Sequence, residues 1–141
     1  MPDFEPIAGR YLTVAIDGVD HRIFLEEAGQ GLPLLCLHTA GADGRQYRHL
    51  LNDAWVTERF RVIAFDMPWH GRSNPPDDWW LTRYRLTTAG YLATIRAVWQ
   101  ALGLDRPVVL GCSMGGAIVL KVAADYQDEL TGIVGLESAA Y

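Results

Sequence analysis

Lysine is nearly missing from this chain: Lys121 stands alone, and the other basic residues are arginines scattered along the length. With no basic run to track a phosphate backbone, nucleic acid is not an expected partner. No apolar stretch approaches the ~18 residues that cross a bilayer, so no membrane association is expected. The opening Met1-Pro2-Asp3-Phe4-Glu5-Pro6 lacks the basic start and apolar stretch of a signal peptide, which reads as a cytoplasmic location. Cysteine is scarce as well. Cys36 and Cys112 each fall in an apolar, strand-like setting, as reduced thiols in a cytoplasmic protein do, and two such ligands are too few for a metal site. Neither a metal nor a cofactor is expected. Histidine occurs four times and never beyond His70. Internal repeats, low-complexity tracts and linkers are also missing.

What remains is a globular composition. Half of the 141 residues are hydrophobic, 21% are charged and the net charge is −5, which suits one domain with a substantial core. Tyr11–Ile16 and His21–Glu26 read as two strands joined by a turn at Asp17-Gly18, a hairpin signal. The pattern then changes. Leu34–Leu37, Val62–Phe65, Val108–Leu110 and Ile133–Leu136 are short, continuous apolar runs, which suit parallel strands buried on both faces. Between them, Tyr91, Ile95, Val98 and Leu102 recur at helical spacing, with Thr87 or Thr88 as the cap and Gly103 as the left-handed stop. Gly115–Ala124 reads as a second helix, and a shorter one is expected between Arg45 and Asn52. Asp66–Trp80, rich in Pro, Asp and Trp, reads as a surface loop. Alternating strands and helices predict an open α/β sheet with its functional loops at the carboxyl ends of the strands.

Gly111-Cys112-Ser113-Met114-Gly115 follows one of those strands and opens a helix. A serine on so sharp a turn has a strained backbone, and glycines two residues to either side remove side chains that would collide. The turn lifts the hydroxyl above the sheet edge, and the N–H of Met114 at the helix start is available to a developing oxyanion. The plainer reading is that Ser113 only caps the helix. A second oxyanion donor is expected from Leu37-His38-Thr39-Ala40-Gly41-Ala42, the loop after the preceding parallel strand.

Together these segments resemble the N-terminal half of an α/β-hydrolase. His38-Thr39-Ala40-Gly41 resembles that family's His-Gly-x-Pro/Gly loop. Asp66-Met67-Pro68-Trp69-His70-Gly71-Arg72-Ser73 matches its Asp-x-Pro-Gly-His-Gly-x-Ser segment at all but one fixed place, and Gly111–Gly116 matches its nucleophile elbow. The resemblance implies an α/β-hydrolase core, mostly parallel with an N-terminal antiparallel hairpin and incomplete at its C-terminus. It also implies Ser113 as nucleophile and the backbone N–H groups of Ala40 and Met114 as oxyanion hole. Thr39 and Trp69 stand where the family usually has glycine. His38 and His70 belong to turn-shaping motifs and are poor candidates for a general base.

A serine hydroxyl needs a base to take its proton and an acid to orient that base. The family places them in the order Ser, Asp/Glu, His, and here no histidine follows Ser113. Glu137, 24 residues after Ser113, ends the last strand on the functional edge, at an interval resembling that of the haloalkane dehalogenases. It is the candidate acid, or else it merely lines the cavity. Residues 1–141 are therefore expected to form the N-terminal part of one hydrolase domain. The cap and last strands, with the histidine, are expected from a C-terminal remainder or a second chain, which would also cover the apolar edge at Ile133–Leu136. The function expected is a cofactor-independent serine hydrolase acting on a small-molecule ester, lactone or similar activated carbonyl. C–C bond hydrolysis is an alternative, as is a non-catalytic binding or interaction protein on the same scaffold.

Overall fold

The computed structural model describes residues 1–138. Strands β1 (Ala8–Ile16) and β2 (Val19–Ala28) form the expected hairpin, longer at both ends than the apolar pattern suggests. Asp17 and Gly18 both have positive φ, 49° and 79°, the paired left-handed geometry that suits the twist of a tight hairpin. Then come β3 (Leu32–Leu37), β4 (Phe60–Phe65), β5 (Val108–Cys112) and β6 (Gly132–Leu136). The sheet order is β1-β2-β4-β3-β5-β6. β1–β2 and β2–β4 pair antiparallel, and the remaining neighbours are parallel.

Both faces of the central strands are covered, which is why their sequences are continuously apolar. Leu35 and Leu37 of β3 and Ile63 and Phe65 of β4 face one layer, with Ile95, Val98, Val119 and Val122. The last four come from α3 (Thr88–Ala101) and α4 (Met114–Tyr126). The alternate residues Leu34, Cys36, Val62 and Ala64 face the other layer, against Tyr47 and Leu51. That layer holds α1 (Arg48–Asn52) and the single turn α2 (Ala54–Thr57). Each fully buried Leu, Ile, Val or Phe contributes roughly 1.5–3 kcal/mol, so the sheet is anchored from both sides. The helix expected over Arg45–Asn52 is divided: a 3-10 turn, Gly44–Tyr47, precedes α1.

Thr87 is the cap of α3, its Oγ1 accepting from the Gly90 N–H at 3.0 Å. Gly103 ends the helix with φ 59°, and the Trp99 indole donates to the Leu104 carbonyl just beyond. β6 is one of the two outer strands, and Val134 and Leu136 on it are exposed. Among the described residues no helix is long and apolar enough to cross a membrane.

Candidate active site

Parallel pairing brings the candidate residues to one edge. Leu37 lies opposite Gly111, and Cys112 opposite Leu136. The loop after β3, the turn after β5 and Glu137 after β6 therefore leave the sheet side by side.

The turn after β5 is strained. Ser113 has φ 55° and ψ −111°, a region that costs an ordinary residue about 1–3 kcal/mol and persists only where the surroundings enforce it. The enforcement is visible. The Ser113 N–H donates to the Leu136 carbonyl at 2.9 Å, and the Ser113 carbonyl accepts from the Ala117 N–H at 2.8 Å. A Cβ on Gly111 would collide with the Gly115 carbonyl. On Gly115 it would fall 2.5 Å from the Leu37 carbonyl oxygen, and on Gly116 2.5 Å from that of Leu136. Strand and helix close on each other only because these positions carry hydrogen. The Ser113 side chain makes no capping hydrogen bond to α4, and the residue is exposed. The plainer capping role is therefore not what the turn serves.

The loop after β3 is fixed by side chains. His38 is fully buried: its Nε2 accepts from the Met67 N–H at 3.0 Å, and its Nδ1 lies 2.8 Å from the Thr39 carbonyl, to which it donates. Burial holds the imidazole below its ordinary pKa, and with both ring nitrogens engaged His38 is a strut. The Thr39 N–H donates to Gln46 Oε1 at 2.9 Å, and the Tyr47 hydroxyl to the Leu37 carbonyl at 2.7 Å. The Thr39 amide is thus occupied. Neither the Ala40 nor the Met114 N–H donates to an acceptor among the described residues.

The segment Asp66–Ser73 is a carboxylate clamp. Asp66, buried, accepts from the Gly44 N–H at Oδ1 and the Arg72 N–H at Oδ2, both at 2.7 Å. Ser73 Oγ donates to the Asp66 carbonyl and accepts from the Phe24 N–H, tying the loop back to β2. His70 donates from Nδ1 to the Pro68 carbonyl at 3.0 Å and, like His38, shapes a turn. Trp69 has φ 70°, the left-handed conformation that explains why glycine suits this place. Its ring lies 5.2 Å from that of Tyr84 and 5.8 Å from that of Trp79, lining a cavity of about 400 Å³. Trp79 and Trp80 lie outside the lining of that cavity, and Trp80 is 66% exposed.

Glu137 is exposed, with φ 50°. His21 sits half-buried in β2 and His49 is exposed on α1. No histidine forms a hydrogen bond with Ser113 among the described residues. The roles of Gln46 and Tyr47 in fixing the loop after β3 had no signal in the sequence.

A strained serine between strand and helix, on a parallel sheet preceded by an antiparallel hairpin, defines a class. Residues 33–140 match the family model of the alpha/beta hydrolase fold, and the chain belongs to that family. It is 27% identical over 130 residues, 90% of its length, to a 2-hydroxy-6-oxononadienedioate/2-hydroxy-6-oxononatrienedioate hydrolase of a Pseudomonas species, of which it covers 44%. It is 34% identical over 103 residues, 73% of its length, to a proline iminopeptidase of Lactobacillus delbrueckii subsp. bulgaricus, of which it covers 34%. An epoxide hydrolase of Vigna radiata superposes on the whole chain with a TM-score of 0.81 at 19% identity, and the chain covers 41% of it. The chain thus spans less than half the length of these relatives.

Proposed function

We propose that Ser113 is the nucleophile of a serine hydrolase acting on an ester, lactone or related activated carbonyl. The backbone of Ser113 carries this reading: its strain positions an exposed hydroxyl at the head of α4 and serves no cap. In the first half-reaction Ser113 Oγ bonds to the carbonyl carbon and its proton passes to a histidine. The oxyanion is received by the Met114 and Ala40 N–H groups. The C–O bond to the leaving group then breaks, the alcohol takes that proton, and an acyl-enzyme remains. Water, losing its proton to the same histidine, releases the acid.

His38 and His70 are engaged in turns, which supports a base supplied from outside residues 1–141, by further chain of the same hydrolase or by a second chain. Glu137, one residue past β6 and beside the elbow, is the proposed orienting acid. Cys36 and Cys112 are unpaired thiols, which favours a cytoplasmic setting. C–C bond hydrolysis is the second reading, favoured by the similarity to the Pseudomonas hydrolase across 90% of the chain.

The test is acylation by p-nitrophenyl butyrate with imidazole added as an external base. The expected result is a butyryl group on Ser113, formed faster as imidazole rises and not formed in Ser113→Ala. Equal acylation of both proteins, or none at any imidazole concentration, contradicts the proposal.

A further inference from the structure

Trp69 combines two observations that the proposed hydrolytic role leaves unexplained. It is a bulky residue held at φ 70°, where an L side chain is disfavoured and glycine is not. It also forms one wall of a cavity of about 400 Å³, within the range that encloses a small organic ligand. Strain retained at a cavity wall points to a use for the side chain.

The cavity adjoins the groove that leads to the serine turn. Leu86 lines it and also lines a second groove, of about 420 Å³, that runs between the starts of α3 and α4 to Met114. Leu86 thus borders both the groove at Met114, the residue after Ser113, and the cavity walled by Trp69. The chemistry of the cavity selects what arrives there. Trp69 and Tyr84 contribute aromatic rings to its lining, with Met67 and Pro76 also on it. The charged residues around it, Asp17, Asp77, Arg83 and Arg85, cancel in sign, so no net charge is demanded of the ligand.

We propose that Trp69 is a specificity-determining residue, and that the cavity it walls takes a neutral aromatic ring on one arm of the substrate. The placement of that arm relative to the scissile bond rests on the Ser113 reading; the ring site itself does not. Ring against ring, an offset or edge-on contact adds to what apolar burial alone supplies.

Naphthalene-2-methanol and cyclohexylmethanol, a flat ring and a puckered one, are titrated calorimetrically into the 141-residue chain. Wild type is expected to prefer the naphthyl alcohol. Trp69→Gly, whose backbone adopts the observed φ without strain, is expected to bind it about tenfold more weakly and to lose the preference. Tyr84→Leu serves if the first variant does not fold, with an expected loss of about threefold. Trp80→Ala and Ser113→Ala should bind as wild type. No naphthyl binding by wild type, an unchanged affinity in Trp69→Gly, or an equal loss in Trp80→Ala overturns the proposal. Failure of Ser113 to acylate, with these affinities as expected, overturns only the nucleophile reading.

Discussion

Gly111→Ala tests whether the serine turn is held by close backbone approach. The new Cβ meets the carbonyl of Gly115, with the Gly116 nitrogen at 2.9 Å behind it. Both are backbone, so neither can rotate aside, and β5 must part from α4. Overpacking of this kind costs about 1–3 kcal/mol. Opening the turn also removes the bond from the Ser113 N–H to Leu136, worth about 1 kcal/mol. Restricting the unfolded chain returns about 0.4–1 kcal/mol, which leaves a net loss of about 1–3.6 kcal/mol. Gly132→Ala is the control. It too lies in a strand, it has no positive φ, and a Cβ there meets nothing within 4 Å, so only the stabilising effect remains. Urea unfolding should separate the two variants by about 3 kcal/mol, roughly a hundredfold in the unfolding equilibrium. Indistinguishable midpoints would refute the account of the elbow.

Other parts of the edge give their own expectations. Asp66→Ala strands the Gly44 and Arg72 N–H groups, each worth about 1–3 kcal/mol when left unpaired; a loss of at least about 2 kcal/mol in urea unfolding is expected, and a loss below 1 would count against the clamp. Trp69→Gly should be more stable than Trp69→Ala by about 1 kcal/mol, because both lose the ring but only glycine relieves the left-handed backbone. Equal midpoints would show that φ is not the constraint.

Stability should also depend on pH through His38. Burial lowers its folded pKa, so the unfolded chain takes up the proton first, near pH 6.5. The stability of neutral His38 is complete above that value and is lost as pH falls from it toward the folded pKa. His21 is lowered by burial as well, so His38→Asn should flatten the decline between pH 7 and 5 only in part. An unchanged slope would contradict the assigned role of His38.

The elements that were legible in the sequence are those whose local pattern and tertiary role agree. The hairpin turn at Asp17-Gly18, the four apolar strands and the Thr87 cap follow from chemistry within a few residues. Strand ends were less legible: β3 begins at Leu32 and β4 at Phe60, because ladder pairing extends past the fully buried positions. The brief turn α2 was not expected; Asp53 starts it by accepting from the Val56 N–H, and no apolar periodicity can show in four residues. At the site, Ser113 was recognisable from the glycines around it. The grip of Gln46 on the Thr39 amide and of Asp66 on Gly44 was not, since each joins residues whose proximity the fold creates. Trp69 lies between these cases. Its departure from glycine is visible in the sequence, but its positive φ and its place on a cavity wall are not.

Locating the adduct of a fluorophosphonate by peptide mass spectrometry tests the central claim most directly. With imidazole present, the phosphonyl group should be found on Ser113, at a rate that rises with the base, and Ser113→Ala should remain unmodified. Modification spread over other serines, or equal labelling of the variant, would contradict the assignment of Ser113 as the nucleophile.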